Sequence, residues 1–166
     1  MRHVAVMTVW TFGAATLALS AGCRQAASSP APGAPPLTVD VLREHWPNGR
    51  LKVEQQVLRR SDGTVVPHGR YTAWYDSGQM EYEATYVEGK TDGVETTWHR
   101  NGRKRTEQHY RNGLRHGPRY AWDEHGRLRQ EENYADDLPH GTWTIWRDNG
   151  EVKWRAEFDH GVPKGP

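Results

Sequence analysis

The sequence predicts an all-β fold. It is built from tandem antiparallel β-hairpins in 24-residue units, joined hairpin to hairpin into one continuous meander. Three observations predict it. Gly69, Gly93, Gly117, Gly141 and Gly165 are evenly spaced, and so are Trp74, Trp98, Trp122 and Trp146. Each Trp is followed four places later by Gly78, Gly102, Gly126 or Gly150 and twelve places later by Tyr86, Tyr110, Tyr134 or Phe158. The chain holds eight Trp and seven Tyr against two Phe, with 17 Gly and 10 Pro, so amphipathic rings and turn formers dominate where a helical protein would hold Ala and Leu.

The elements follow in chain order. Residues 1–22 read as a lipoprotein signal peptide: Arg2 gives a short positive start, Val4 to Leu19 is an apolar run without formal charge, and Leu19-Ser20-Ala21-Gly22-Cys23 resembles a lipobox. Small side chains before Cys23 let the backbone enter a signal peptidase, and Cys23, the only cysteine, is the expected lipidation (palmitate-bearing) site. An ordinary secretory signal and a retained membrane anchor are the alternatives. Residues 23–37 form a Pro/Ala/Ser-rich tether that cannot bury a core. Residues 38–166 form the repeat domain of about five units. The first is degenerate, with Trp46, Asn48-Gly49 and His68-Gly69, and with extra residues around Arg59–Gly63.

Within a unit, the segments Asp76-Ser77-Gly78, Arg100-Asn101-Gly102, Glu124-His125-Gly126 and Asp148-Asn149-Gly150 read as hairpin loops closing on a glycine of positive φ. The strand that follows alternates. Met80, Tyr82, Ala84 and Tyr86 oppose Glu81, Glu83 and Thr85, and Val152, Trp154, Ala156 and Phe158 oppose Lys153, Arg155 and Glu157. Gln108 and Glu132 stand in the apolar register of the middle units, which predicts only partial burial there. A second turn lies at Glu88-Gly89, Asn112-Gly113, Asp136-Asp137 and His160-Gly161. A lone hairpin is marginal in water. Stability is therefore expected from a repeat aromatic ladder of Trp46, Trp74, Trp98, Trp122, Trp146, Tyr86, Tyr110, Tyr134 and Phe158. The turn glycines Gly78, Gly102, Gly126, Gly150, Gly93, Gly117 and Gly141 set its spacing.

The pattern Gly-(x)4-Trp-(x)3-Gly-(x)7-Tyr-(x)2-Gly-(x)3-Gly over residues 42–165 resembles the MORN-repeat variant of bacterial proteins, a group that includes the YwqK-like antitoxin family. The resemblance implies an elongated, twisted, single-layer sheet and a role in protein or membrane association. It also raises toxin neutralisation as an alternative function. Asp137 departs from the pattern, standing where the other units have Gly.

Composition narrows the chemistry. Net charge is +1, so no global field selects nucleic acid. Residues 94–117 hold six cations, Arg100, Arg103, Lys104, Arg105, Arg111 and Arg115, against two carboxylates, a net of +4, between units of −3 on either side. This basic stripe is either an anion site, for instance for lipid head groups, or the complement of its neighbours' carboxylates. His68, His116 and His140 recur before glycines, but a stack of His116 on His140 offers too few ligands for zinc, so no metal and no cofactor is expected. The pairs Glu81/Glu83 and Glu131/Glu132 lie on a strand with no concave site to perturb them, and no nucleophile–base constellation is present, so the chain reads as no enzyme. The last unit is the most hydrophobic. Trp143 and Trp154 there form a candidate partner surface, for another protein or for self-association. Taken together, the sequence reads as a non-catalytic protein-binding or scaffolding module. It is expected to be lipid-anchored in the bacterial cell envelope, at the outer membrane because Arg24 rather than Asp follows Cys23, with a protein partner there.

Overall fold

The computed structural model describes residues 38–165. The leader, Cys23, the tether and Pro166 lie outside the described residues. Thirteen strands run in chain order: β1 Thr38–His45, β2 Leu51–Arg59, β3 Val65–Trp74, β4 Met80–Val87, β5 Lys90–Thr91, β6 Gly93–Trp98, β7 Lys104–Arg111, β8 Leu114–Trp122, β9 Leu128–Ala135, β10 Leu138–Pro139, β11 Gly141–Trp146, β12 Val152–Asp159 and β13 Val162–Pro163. They form one open antiparallel sheet in the order β1-β2-β3-β4-β6-β7-β8-β9-β11-β12-β13, with β5 on β4 and β10 on β9. Among the described residues there is no helix.

Two turn types alternate along the chain, each dictated by its residues. After each Trp the loop is a type I turn closed by a left-handed glycine: Gly78 (φ 91) donates its N–H to the Tyr75 carbonyl at 2.8 Å, and the Tyr75 N–H reaches Gln79 at 2.9 Å. After the second strand of each full unit comes a two-residue turn with both φ values positive, as at Glu88 (47) and Gly89 (87), which is the type I′ geometry that matches strand twist; the degenerate first unit instead joins β2 to β3 through a second glycine-closed loop, with the Gly63 N–H donating to the Arg60 carbonyl at 3.0 Å. Asp137 holds this conformation without being glycine, at φ 69. Its strain is offset because Asp137 Oδ1 accepts bonds from the Arg115 N–H at 3.1 Å and from Arg115 Nε at 2.9 Å.

Gly93, Gly117 and Gly141, expected in turns, lie instead within the strands. They stand directly across from Tyr110, Tyr134 and Phe158, as Gly69 stands across from Tyr86. Their φ values are positive (105, 100 and 71), so the strand kinks where it crosses the ring-bearing residue.

The expected ladder of stacked rings divides into two rows. By strand alternation and cross-strand register, Tyr71, Tyr82, Tyr86, Tyr110, Tyr134, Trp143, Trp154 and Phe158 share one face. Trp74, Trp98, Trp122 and Trp146 are of opposite parity to their strand neighbours on that face and belong to the other. Equivalent residues of successive units also sit two strands apart, at about 10 Å, which is beyond direct ring contact. Rings from the intervening strand must bridge them. Tyr71 meets Tyr82 and Tyr86 edge-on at 5.4 and 6.3 Å, and Trp143 lies between Tyr134 (5.2 Å) and Phe158 (5.0 Å). Trp46 is not in the Trp row. His45 pairs with Leu51 as Trp74 pairs with Met80, which puts Trp46 in the register of Tyr75. The spacing already carried this, since Gly49 follows Trp46 by three places and not four.

Burial is thin, as a single layer requires. The buried residues are Val57, Leu58, Ala84 and Tyr134 together with the polar Thr72, Gln108 and Thr144, and no large side chain is fully enclosed.

Candidate functional site

The Tyr-bearing face is a mixed aromatic and polar surface, not an apolar one. The Tyr82 hydroxyl donates to Glu95 at 2.7 Å and lies 3.3 Å from the Tyr86 hydroxyl; burial, then these two bonds, push the Tyr82 phenol far above its ordinary value. Farther along, Glu132 accepts from Arg119 at 3.1 Å and from the Tyr134 hydroxyl at 2.8 Å, and burial plus this bond raise Tyr134 to about 12. Glu132 is thus half-buried as its register implied, and Arg119 pairs with it. Gln108 departs from expectation. It is 4% exposed, with Nε2 donating to the His109 carbonyl at 2.9 Å. The threonine pair Thr97–Thr106 (2.6 Å) completes the polar stretch between the two aromatic clusters.

A second row runs along the loops that follow each Trp, and sequence reasoning missed it. The Trp46 indole N–H donates to the Trp74 carbonyl at 2.9 Å, the Tyr75 hydroxyl to the Trp98 carbonyl at 2.6 Å, and His99 Nε2 to the Trp122 carbonyl at 2.9 Å. Trp46, Tyr75 and His99 hold the same place in their loops and tie three successive units to the next, skipping one strand; at the matching place in the fourth loop Asp123 instead accepts bonds from His125 and Arg127. The signal in the sequence is weak, because the residue type changes from loop to loop. In the same loops Asn101 Nδ2 and Arg103 Nη1 donate to the Glu124 carbonyl at 2.6 and 3.1 Å, and Arg127 Nη1 donates to the Asp148 carbonyl at 3.1 Å.

The basic stripe resolves mainly into such pairings. Arg100 meets Asp76 at 2.8 Å, Lys104 meets Glu107, Arg111 meets Asp136 at 3.0 Å and Arg115 meets Asp137 at 2.9 Å, while Arg103 is engaged as above. Of the six residues named as an anion site, Arg103 and Arg105 have no ion pair among the described residues, and Arg103 donates instead to the Glu124 carbonyl. Of the two readings the stripe offered, these contacts are those of charge pairing between and within hairpins. Arg100 and Arg115 also lie over the rings of Tyr75 (4.7 Å) and Tyr134 (4.2 Å). The partner carboxylates feel this. Hydrogen bonds from Arg115 hold Asp137 below the usual range, and those from Arg111 do the same for Asp136. Asp123, although partial burial opposes its charge, is held at about 2 by the Arg127 and His125 amides and the Arg127 guanidinium.

The last unit was the expected contact surface. Trp143 does not belong to it: its ring is wedged between Tyr134 and Phe158, and its N–H donates to the Asn133 carbonyl at 2.9 Å, so it is a packing residue. Trp154 on β12 does remain open, at 42% exposed. The outer edge of β12 is also open. β4, β7 and β9 each pair with a strand of the following unit, whereas β12 meets β13 only at Phe158 and Asp159, leaving Val152–Ala156 unpaired on that side among the described residues. Near this end an open depression of about 600 Å³ is lined by Arg129, Ile145, Trp146, Arg147 and Lys153 among others. It is shallow and wide-mouthed, and Arg129 spans it in contact with Asp148.

The histidines before the glycines brace the neighbouring turns. His68 Nδ1 accepts from the Glu88 N–H at 3.3 Å, and His116 Nδ1 meets Asp136 at 3.1 Å. His140 stands instead against His160, with ring centroids 4.6 Å apart. The carboxylate pairs do not converge: adjacent residues such as Glu131 and Glu132 lie on opposite faces.

Three tandem segments, residues 67–88, 91–112 and 115–136, match the family model described as MORN repeat variant. Each ends at the first residue of a type I′ turn, Glu88, Asn112 or Asp136. No curated protein matches the chain. MORN repeats are generally protein- or membrane-binding modules and generally non-catalytic.

Proposed function

We propose that this chain is a lipid-anchored protein of the bacterial cell envelope whose repeat sheet binds a protein partner and performs no catalysis. The reading is carried by one observation: among the described residues the outer side of β12 is unpaired from Val152 to Ala156, and Trp154 is exposed beside it. Unpaired N–H and C=O groups on an edge strand accept an added strand, and an aromatic side chain next to them supplies the affinity. The binding class of the repeat supports the same conclusion. A lipid chain on Cys23, followed by a tether through residue 37, would hold the sheet near a membrane while leaving that edge accessible. Among the described residues no helix is long and apolar enough to cross a membrane.

Crosslinking capture from envelope extracts with the full lipidated chain tests the partner. Trp154→Glu should abolish recovery of a specific protein, and Trp74→Glu on the opposite face should not. Recovery unchanged by Trp154→Glu would overturn the assignment of the edge. If the captured protein arrests growth when freed from this chain, the module is an immunity-type binder. Mass spectrometry of the mature N-terminus tests the anchor, and an unmodified Cys23 would end that part of the reading.

A further inference from the structure

The junction before the last turn brings together three groups at positions that recur in every unit. They are the residue preceding the in-strand glycine, the last residue of the second strand and the first residue of the type I′ turn. In the first three junctions these are His68/Val87/Glu88, Asp92/Arg111/Asn112 and His116/Ala135/Asp136. There the first residue braces the turn: His68 accepts the Glu88 N–H, Asp92 accepts the Asn112 N–H at 2.9 Å, and His116 pairs with the Asp136 side chain. At the fourth junction the same positions hold His140, Asp159 and His160, all three of them metal-ligating residues.

We propose that His140, Asp159 and His160 bind a divalent transition-metal ion of the zinc class. Their ligand atoms, His140 Nδ1, Asp159 Oδ1 and His160 Nδ1, all lie within 4.8 Å of one another. Asp159 Oδ1 is 2.6 Å from His160 Nδ1 and 3.5 Å from His140 Nδ1. His140 Nδ1 is shielded from solvent and has no hydrogen-bond partner, unlike the side chains at the equivalent place in the first three junctions. The backbone around it is fixed. The His140 N–H donates to the Asn133 carbonyl at 2.9 Å, and the Gly161 N–H in the turn donates to the Pro139 carbonyl at 2.7 Å. Bonds of about 2.0–2.1 Å to a tetrahedral ion set its donors roughly 3.3 Å apart, so Asp159 Oδ1 and His160 Nδ1 would part from 2.6 Å while His140 Nδ1 draws in, which side-chain rotation allows at this exposed turn. Two imidazoles and one carboxylate favour Zn²⁺, Ni²⁺ or Cu²⁺ over Ca²⁺ or Mg²⁺, and three protein ligands leave a position open to water or to a group from a partner. The ion would clamp the turn at His160-Gly161 to the strand entering the β11–β12 hairpin.

The test uses the full-length chain without a polyhistidine tag, stripped with chelator and titrated with ZnCl₂ by calorimetry and with CoCl₂ by visible absorption. The expected result is one ion per chain, a Co²⁺ d–d band, and a Tm raised by roughly 5 °C at saturating Zn²⁺. Asp159→Asn and His160→Ala, both exposed, should each weaken binding more than about tenfold. His68→Ala, at the matching place in the first junction, should leave it unchanged. No saturable binding below about 1 mM, a range of only −4 kcal/mol, would overturn the site. So would binding that survives His160→Ala, because the Asp159–His160 contact is then an ordinary ion pair.

Discussion

Tyr134 offers the sharpest test of what holds the sheet together. It is 6% exposed, packs on Trp143 at 5.2 Å, lies under the Arg115 guanidinium at 4.2 Å and donates to Glu132 at 2.8 Å. Tyr134→Ala removes a buried ring, for which aromatic truncations cost about 3–5 kcal/mol in closed cores. A single layer lets solvent fill the gap, so the lower part of that range, about 3 kcal/mol, is expected; the lost bond to a charged acceptor contributes part of it. For a domain of this size that lowers Tm by roughly 10 °C. Tyr134→Phe keeps the ring and should cost only about 1 kcal/mol. A double-mutant cycle with Trp143→Ala should return a coupling of about 0.5–1.5 kcal/mol. The assay is urea denaturation of the full chain followed by far-UV circular dichroism, with Trp154→Ala as the exposed control. A Tyr134→Ala loss below about 1 kcal/mol, or no larger than that of the control, would refute the bridged-ring account.

Three further outcomes follow from the geometry. Gly69→Ala should destabilise by about 1–3 kcal/mol in denaturant melts, because φ is +87 and a Cβ would meet Gln56 Oε1 at 2.2 Å; Gly49→Ala, at φ +80 with nothing within 4 Å, should cost less. Trp46→Phe deletes the indole donor to the Trp74 carbonyl and should cost about 1 kcal/mol, with faster amide exchange in β1 and β2 as its signature. Acid should destabilise the array: Asp123, Asp136, Asp137 and Asp159 have folded pKa values below their ordinary 3.8, with Asp123 at about 2. Their contribution is complete above pH 4 and lost as pH falls from there toward 2, so a Tm at pH 2 equal to that at pH 5 would contradict it.

Much of the fold was legible because its signals are local. The loop after each Trp and the turn after each Tyr are specified by residues adjacent in the chain, and the 24-residue spacing of Gly and Trp counts the units directly. The alternation of Tyr82, Ala84 and Tyr86 against Glu83 and Thr85 gave the faces of β4 correctly. The placement of Trp46 was also legible, in its three-residue distance to Gly49, but the residue type outweighed the count. Hydrophobicity marks Trp143 and Trp154 alike, and only packing separates the wedged ring from the open one.

The order of the strands, the existence of two turn types and the repeat length were decided by the sequence alone, because each depends on backbone preferences within a few residues. Tertiary structure decided which rings meet, since equivalent positions lie two strands apart and touch only through a third. It also decided that Arg100, Arg111 and Arg115 answer carboxylates of other hairpins, and that His140 faces Asp159 and His160. Those pairings join residues about 20 to 25 positions apart, and only the register of the folded sheet brings them side by side.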